Sequence, residues 1–353
     1  MSDWQLSTVN AETADVSAAR IVAALSEPAL YPDQPTAVEH IQTHFAWVFL
    51  TGQYAYKLKK PVMIRGADLR SVHARELACR EELRLNLRLA SETYICVLPL
   101  LMTAGGFALA GNGTPADWLI KMHQLPRSSM LDHRLRQNRL HSADITSVLQ
   151  VLVDFYRRTP PEPIAAEAAL EQLVFRIDEA FSELKRPEFA LPAERIAVAE
   201  TRVRNALAQG RQTLLARFRS GLIRELHGDL RAEHICLGPP VQIIDAMEFS
   251  RALRLLDPAE ELAMLAVDLE RHGGAWAAPE IISTYRRLAG DPVPAWLWRF
   301  YCAVRAVTRA KVAIWHLEIP SDYPDPAPWR RTATDLLDRT AHWLDSVGTT
   351  TPV

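Results

Sequence analysis

Two aspartates in the second half of the sequence have the surroundings of paired catalytic carboxylates. Asp229 and Asp245 lie in the segment ELHGDLRAEHICLGPPVQIIDAMEF, residues 225–249. The apolar runs at 234–237 and 241–244 predict two short neighbouring strands that bring the two carboxylates together. Phosphoryl transfer uses such a pair, because one carboxylate orients the attacking hydroxyl and another holds the metal ion that bridges the phosphates. Asp229 fits the first role and Asp245 the second; the alternative is a pair of carboxylates that cap turns.

The elements ahead of this segment predict a small β-sheet with one helix. A short leading helix is expected at 17–25, and β-prone runs between 38 and 64 suit a hairpin. A window rich in helix formers predicts a helix at 71–89. Two more strands are expected at 93–103 and 117–126, separated by glycine-rich turns.

After Pro126 the hydrophobic spacing becomes helical. Helices are predicted at 131–140, 145–158, 165–184 and 192–218. A small sheet with one helix, followed by a mostly helical second half, predicts an α+β fold of two lobes. We place the N-lobe at 1–123 and the C-lobe at 124–353.

The segment LLDPAEELAML contains a helix start. Asp257 has the position of an N-cap, Pro258 that of the first helical residue, and Glu260 and Glu261 fall in the first turn, where acidic residues are favourable. We expect Asp257 to be structural.

The composition narrows the choice of partners and compartment. A net charge of -2 over 353 residues provides no global field for nucleic acid or an anionic membrane, so neither is an expected partner. The N-terminal residues lack the pattern of a signal peptide, which favours a cytoplasmic protein. Four separated cysteines without a CxxC pair argue against a zinc site or disulfides. A monomer or a homodimer is expected.

The segment HGDL, followed by a strand, a turn and IIDAMEF, resembles the aminoglycoside phosphotransferase and choline kinase branch of the protein-kinase-like fold, in which HGD takes the place of HRD. The runs THFAWVFLTGQYAYKLKKPV, REELRLNLRLA and DPAEELAML are similar to a bacterial subgroup of that family. The resemblance implies a kinase-like fold, use of ATP or GTP with Mg²⁺, and transfer of a phosphoryl group to a hydroxyl of a small molecule.

The resemblance also implies a nucleotide site in the N-lobe. Lys57 matches the strand lysine that binds the α- and β-phosphates, and Glu82 matches the helix glutamate that pairs with it. Lys59 and Glu81 remain alternatives, because Lys57 and Lys59 point to the same face of a strand. The turn at 43–49 takes the place of the phosphate-covering loop.

Two further parts of this nucleotide site follow from the resemblance. His44, in the covering turn, could approach the phosphates. Met122, His123 and Gln124 stand where a hinge would offer backbone hydrogen bonds to adenine.

Two histidines flank the catalytic aspartate. His227 is expected to be a packed residue that holds the loop, and Gly228 lets the backbone turn tightly. His234 is the fifth residue after Asp229, where the kinase pattern has an asparagine that binds a second metal ion. Imidazole suits Mn²⁺ or Zn²⁺ better than Mg²⁺. A single-metal enzyme, an altered metal preference with Mn²⁺ possible, and a protein that binds nucleotide with slow turnover all remain open.

The helical run at 296–318 has aromatic and basic residues near one face. A core helix with a solvated basic edge is the usual interpretation. The alternative is that Arg305 or Arg309 faces the acceptor site and binds an anionic or polyhydroxylated molecule.

Three functions are compatible with these residues. The first is an ATP-dependent phosphotransferase acting on a hydroxylated small molecule. The second is a nucleotide-binding pseudokinase with a regulatory or partner-binding role, which the histidine at position 234 and the glycine-free covering turn favour. Metal-dependent hydrolysis is less favoured, because no histidine-rich cluster supplies the usual ligands.

Overall fold

The computed structural model describes residues 17–43, 45–64, 67–318 and 325–345. These residues form two compact units. The first unit contains the described residues up to Arg84 together with Glu92–Gln124, and the second contains Leu85–Ser91 with the described residues from Leu125 onward. The chain therefore passes between the units after residues 84, 91 and 124, whereas a single boundary after residue 123 was predicted.

The first unit is a sheet with a helix on each face. Its strands are β1 (Glu39–Gln42), β2 (Ala46–Leu50), β3 (Tyr54–Lys59), β4 (Met63–Ile64), β5 (Ala67–Asp68), β6 (Tyr94–Thr103), β7 (Gly106–Ala108) and β8 (Thr114–His123). Its helices are α1 (Ala18–Leu25) and most of α2 (Val72–Asn86). Six strands form one antiparallel sheet in the order β1-β2-β3-β8-β6-β7, and β4 pairs with β5.

The alternation of side chains along β3 assigns its residues to the two faces of the sheet. Tyr56 and Leu58 are buried in a cluster that also contains Ile21 of α1. Lys57 and Lys59 point to the opposite face, because successive side chains of a strand alternate. Helix α2 provides the partner of both lysines on that face.

The second unit is mostly helical. Its helices are α3 (Leu131–Arg136), α4 (Ser142–Arg158), α5 (Ala166–Leu184), α6 (Ala193–Arg219), α7 (Pro258–Arg271), α8 (Ala277–Ala289), α9 (Ala295–Trp315) and α10 (Ala327–Asp345). Two short antiparallel pairs complete it, β9 (Arg224–Glu225) with β12 (Leu255–Leu256), and β10 (Ile235–Cys236) with β11 (Gln242–Ile243). Helices α7 and α9 are buried along almost their whole length and form the centre of the core.

The predicted α+β architecture, with a small sheet first and helices second, is confirmed. Several boundaries differ. The helix predicted to end at residue 89 ends at Asn86, because the amides of Leu89 and Ala90 donate to the Asn86 carbonyl and turn the chain. The covering turn predicted at 43–49 is shorter, since β2 already begins at Ala46. Position 44 lies outside the described residues.

The two short strands predicted between Asp229 and Asp245 are also shorter than expected. They are reduced to β10 and β11, and His234 belongs to a single 3-10 turn, Ala232–His234, instead of the strand. The amide of Ile244 still donates to the His234 carbonyl, so the chain after β11 is hydrogen-bonded to the 3-10 turn, beyond the β10–β11 pair. Helices α8 and α10 were not predicted.

Asp257 is the N-cap of α7, as predicted, and it has a second role that the sequence did not indicate. Its Oδ1 accepts a hydrogen bond from the Ala259 amide at 2.9 Å. The same carboxylate pairs with the Arg217 guanidinium, whose Nη2 lies 2.9 Å from Oδ1, and Tyr301 donates to Oδ2 at 2.9 Å. Asp257 is fully buried, so its charge depends on these partners.

Replacing Asp257 with alanine is expected to destabilise the protein by about 3–5 kcal/mol, because the change removes one of the two carboxylates that pair with the buried Arg217, the other being Asp291, and leaves the buried Tyr301 hydroxyl without its acceptor. The helix cap contributes about 1 kcal/mol of that loss. Urea unfolding measures the free energy. Asp178→Ala is the control, because Asp178 pairs with Arg204 on the surface and both side chains are about half exposed. Equal effects of the two substitutions would contradict the buried role of Asp257.

Candidate active site

In the first unit, a fully buried glutamate binds two lysines. Glu82 Oε1 lies 2.8 Å from Lys57 Nζ, and Glu82 Oε2 lies 2.5 Å from Lys59 Nζ. The Lys57 side chain is 14% exposed and that of Lys59 only 3%. Lys57 therefore has the better access to solvent. Lys59 is buried together with Glu82 and neutralises the charge of its carboxylate. The choice between the two lysines that the strand period left open stays open.

The neighbouring glutamate has a different environment. Glu81 pairs with Arg84 on the exposed side of α2, with Arg84 Nε 2.7 Å from Glu81 Oε2. The structure therefore places Glu82, and not Glu81, beside Lys57. The assignment of Glu82 to nucleotide positioning stays a prediction.

The segment predicted to contact adenine lies at the end of β8. The amide of His123 donates to the Thr93 carbonyl at 2.8 Å, and the amide of Gln124 donates to the Gln53 carbonyl at 3.0 Å. The Gln124 side chain accepts a hydrogen bond from the Gly52 amide at 2.9 Å. Met122 pairs with residues of β3 and β6 on its two sides. Two amides of this segment are thus already engaged, and its role toward adenine stays a prediction.

In the second unit, His227 is a buried residue that holds the loop carrying Asp229. Its Nε2 lies 2.9 Å from the Ile244 carbonyl, and its Nδ1 accepts from the Asp229 amide at 3.3 Å. Burial lowers the pKa of His227 to about 4, with a smaller contribution from His234, while the hydrogen bond to Ile244 opposes the shift. The imidazole is therefore neutral near pH 7, and it positions the loop instead of carrying a charge.

Glu261, in the first turn of α7, holds the same loop through hydrogen bonds to its backbone amides. Its Oε1 accepts hydrogen bonds from the amides of His227 at 2.7 Å and Gly228 at 2.9 Å, and its Oε2 accepts from the Tyr156 hydroxyl at 2.9 Å. Burial raises the pKa of Glu261, and these hydrogen bonds work in the opposite direction. Gly228 has a φ of +86°, and a Cβ there would lie 3.0 Å from Arg254 Cγ, so glycine suits this position.

Asp229 lies between two arginines. Its Oδ2 accepts a hydrogen bond from Arg231 Nε at 3.0 Å, and its Oδ1 lies 3.9 Å from Arg309 Nη1. Burial alone would raise the pKa of Asp229, but the positive charges of Arg231 and Arg309, together with His234, outweigh it and lower the pKa. The carboxylate is therefore ionised, and it is better suited to orient a hydroxyl than to act as a strong base.

His234 connects the two aspartates. Its Nδ1 lies 2.8 Å from the Asp229 carbonyl, which assigns the proton to Nδ1 from the hydrogen-bond network. The remaining nitrogen, Nε2, lies 3.0 Å from Arg231 Nη2 and 3.5 Å from Asp245 Oδ2. Asp245 has a φ of +64°, is 39% exposed and follows β11 directly after Ile244. The structure thus brings together Asp229, His234 and Asp245.

The metal ligands predicted from the sequence were Asp245 and His234. Within the described residues, no group of three or more His, Cys, Asp or Glu side chains has a spacing that would hold a metal ion. The carboxylate of Asp245 is an oxygen ligand of the type that Mg²⁺ prefers. The Nε2 of His234 is engaged with Arg231, so His234 does not fit the ligand role in this arrangement. The metal site stays a prediction that is centred on Asp245.

Three residues of this site were not identified as functional from the sequence. Arg231 binds the Asp229 carboxylate, Glu261 binds the backbone ahead of it, and Asp268 Oδ2 accepts from the Ala232 amide at 2.9 Å. Arg231 could have been noticed, because a charged residue two positions after a catalytic aspartate can reach its carboxylate. Glu261 and Asp268 had no local signal, since their partners lie more than thirty residues away.

Comparison with solved structures identifies the fold. A choline/ethanolamine kinase family protein from Mesorhizobium loti aligns with a TM-score of 0.56 over 93% of this chain and 95% of that protein, at 16% identity. The chain therefore has a kinase-like α+β fold. An aminoglycoside-3'-phosphotransferase of type VIII aligns with a TM-score of 0.43 at 15% identity, over 82% of this chain and 99% of that protein. This second similarity is too low to support a further conclusion.

Sequence comparison finds relatives in mycobacteria. Uncharacterised proteins of Mycobacterium tuberculosis and Mycobacterium bovis are each 31% identical to this chain over 275 residues, which is 77% of this chain and 53% of theirs. The chain thus spans about half the length of the curated relatives it matches. No protein-family model matches the sequence. Among the described residues, no helix has the length and apolar character needed to cross a membrane.

The buried neutral state of His227 predicts a pH dependence of stability. The unfolded chain protonates this histidine below about pH 6.5, while the folded protein does so only near pH 4, so its contribution is complete above pH 6.5 and is lost as the pH falls toward 4. The difference corresponds to about 3 kcal/mol. Chemical unfolding between pH 7 and 4 should show this loss in the wild type and a smaller loss in His227→Gln. His73→Gln is the control, since the His73 side chain is 76% exposed. A pH slope unchanged in His227→Gln would contradict a low pKa for His227.

Proposed function

We propose that this protein is an ATP-dependent phosphotransferase that moves the γ-phosphoryl group to a hydroxyl of a small molecule. The observation that carries the proposal is the arrangement of Asp229, His234 and Asp245 on one loop region, in a chain with a kinase-like fold. The pair of Lys57 and Glu82 in the first unit supports it, because phosphoryl transfer requires a positive charge that is held in position to bind the phosphates. GTP in place of ATP is compatible with the same residues.

Each residue has a defined task under this proposal. Lys57 neutralises the α- and β-phosphates, and Glu82 holds the lysine in place. Asp229 orients the acceptor hydroxyl and takes its proton as the phosphoryl group is transferred. Asp245 would hold Mg²⁺ or Mn²⁺, which supplies positive charge to the phosphate oxygens. His227 and Glu261 keep the loop in position without contacting the substrate.

One observation favours the second candidate, a nucleotide-binding pseudokinase. The nitrogen of His234 that would face a metal ion accepts a hydrogen bond from Arg231. If this bond persists when nucleotide binds, Asp245 is the one of the two predicted ligands that remains to bind a metal ion, and turnover would be slow. The two candidates differ in turnover and agree in nucleotide binding, so the two measurements have to be made together.

Asp229→Asn is expected to lower turnover by about a hundredfold or more, because the amide cannot accept the hydroxyl proton. The measurement is release of ADP from ATP and Mg²⁺ with a pool of hydroxylated small molecules, alongside the melting temperature with and without ATP. Asp178→Asn, at an exposed surface pair, is the control. Equal turnover in Asp229→Asn and wild type would remove Asp229 from the reaction. A melting temperature that rises with ATP in a wild type without turnover would identify the pseudokinase.

The two lysines should respond differently to substitution by methionine. Lys57→Met is expected to weaken ATP binding by about tenfold or more, because a charge-assisted contact to phosphate is lost. Lys59→Met should mainly lower the melting temperature, since Lys59 is buried beside Glu82. Isothermal titration with ATP and thermal unfolding without it separate the two effects. The opposite result, with ATP affinity lost only in Lys59→Met, would assign the nucleotide to Lys59.

A further inference from the structure

The second unit places an incompletely paired arginine beside the catalytic aspartate. Arg309, on α9, has a side chain that is only 16% exposed. Its Nε is buried and has no hydrogen-bond partner among the described residues. Its Nη1 lies 3.9 Å from Asp229 Oδ1, which is close enough for attraction but too long for a hydrogen bond. A buried guanidinium in this state is costly unless another group completes its hydrogen bonds.

The acidic groups near Arg309 do not complete those hydrogen bonds. Asp229 already accepts from Arg231, and Asp268 accepts from the Ala232 amide. The other charged groups that influence Arg309 are the cations Arg231 and Arg271. Burial and the proximity of Arg231 lower the pKa of Arg309, with Asp229 and Asp268 opposing, but a guanidinium remains charged at neutral pH. The Nε of Arg309 is therefore left with room for one more hydrogen-bond acceptor within the described residues.

A second arginine on the same helix shows the same pattern. Arg305 lies one turn before Arg309 and on the same face, because residues four apart are neighbours on a helix. Its Nη2 lies 2.9 Å from Glu260 Oε1 but outside hydrogen-bond geometry, and its Nε has no hydrogen-bond partner within the described part of the chain. Glu260 is shared with Arg176, whose Nη2 lies 2.9 Å from the same oxygen. This side of α9 thus has an excess of buried donors over acceptors.

We infer that the acceptor carries an anionic group, a carboxylate or a phosphate, close to its reacting hydroxyl, and that Arg309 binds this group while Asp229 orients the hydroxyl. The inference rests on the proposed phosphotransferase function and specifies its substrate class. The planar guanidinium of Arg309 can form two parallel hydrogen bonds to either anion. A cationic group placed against Arg309 would instead be repelled by the guanidinium.

The test uses small probes that differ in charge but share a hydroxylated three-carbon frame. Glycerate and glycerol 3-phosphate are the anionic probes, glycerol the neutral one and 2-amino-1,3-propanediol the cationic one. Isothermal titration of the full chain gives the affinity of each probe, and ADP release with ATP and Mg²⁺ gives its activity as an acceptor. The wild type is expected to bind at least one anionic probe about tenfold or more tightly than glycerol.

Substitutions of Arg309 then test whether this residue causes the preference for an anionic probe. Arg309→Met should weaken binding of the preferred anion by about tenfold to a hundredfold and leave glycerol unchanged, and Arg309→Lys should retain part of the preference. Arg287→Met is the matched control, because Arg287 is an exposed arginine on α8. Circular dichroism verifies folding of each variant. If neither arginine variant folds, the preference of the wild type among the four probes still decides the question.

The outcomes separate this inference from the proposed function. An anion preference that depends on Arg309, in a protein without ATP turnover, supports the anion site and contradicts the phosphotransferase. Turnover that depends on Asp229 but shows equal or greater use of glycerol or the amine overturns the anion site alone. An anion preference that is unchanged in Arg309→Met also overturns the role of Arg309. A difference between glycerate and glycerol 3-phosphate identifies which anion the site takes.

Discussion

The hydrogen bonds of the Glu261 carboxylate are the interaction on which the loop that carries Asp229 depends. It is buried at the start of α7, where it accepts the amides of His227 and Gly228 and the hydroxyl of Tyr156. Burial of a carboxylate is unfavourable, and the hydrogen bonds from two backbone amides offset part of that cost. Helix α7, like α9, is buried along most of its length. The loop that carries Asp229 is therefore held by a residue of the core and not by one of the surface.

Carboxylates that are largely withdrawn from solvent and held by cations occur in both units, but the type of cation differs. Glu82 is held by two lysines, whereas Asp229 and Asp257 are held by arginines. A lysine is a compact charge on a flexible chain, so one lysine beside Glu82 can turn toward a phosphate while the other keeps the carboxylate compensated. A planar arginine fixes orientation as well as charge, which suits the places where a carboxylate must keep one geometry.

The sequence allowed the α+β fold and some local features of the candidate site to be predicted, because those features have local patterns. The strand period put Lys57 and Lys59 on one face, and the DPAEE pattern located the cap at Asp257. The contacts of Glu261 could not be predicted, because its partner His227 is 34 residues away. For Arg309 the sequence offered a place at the acceptor site only as an alternative, because Asp229, the aspartate it approaches, lies on a distant segment. Local spacing finds residues that act within one element; only the packed structure shows which distant element completes a buried charge.

The replacement of the expected asparagine by His234 is best understood together with Arg231. The imidazole binds the Asp229 carbonyl through Nδ1 and receives Arg231 at Nε2, so it directs the guanidinium toward the Asp229 carboxylate. The permanent charge of Arg231 then helps to keep Asp229 ionised, which is an effect that a neighbouring cation of any kind would have. Under the proposed phosphotransferase function, a histidine at position 234 is therefore compatible with an ionised Asp229. It lacks the amide oxygen of an asparagine, but it also positions the fixed positive charge of Arg231 beside the Asp229 carboxylate.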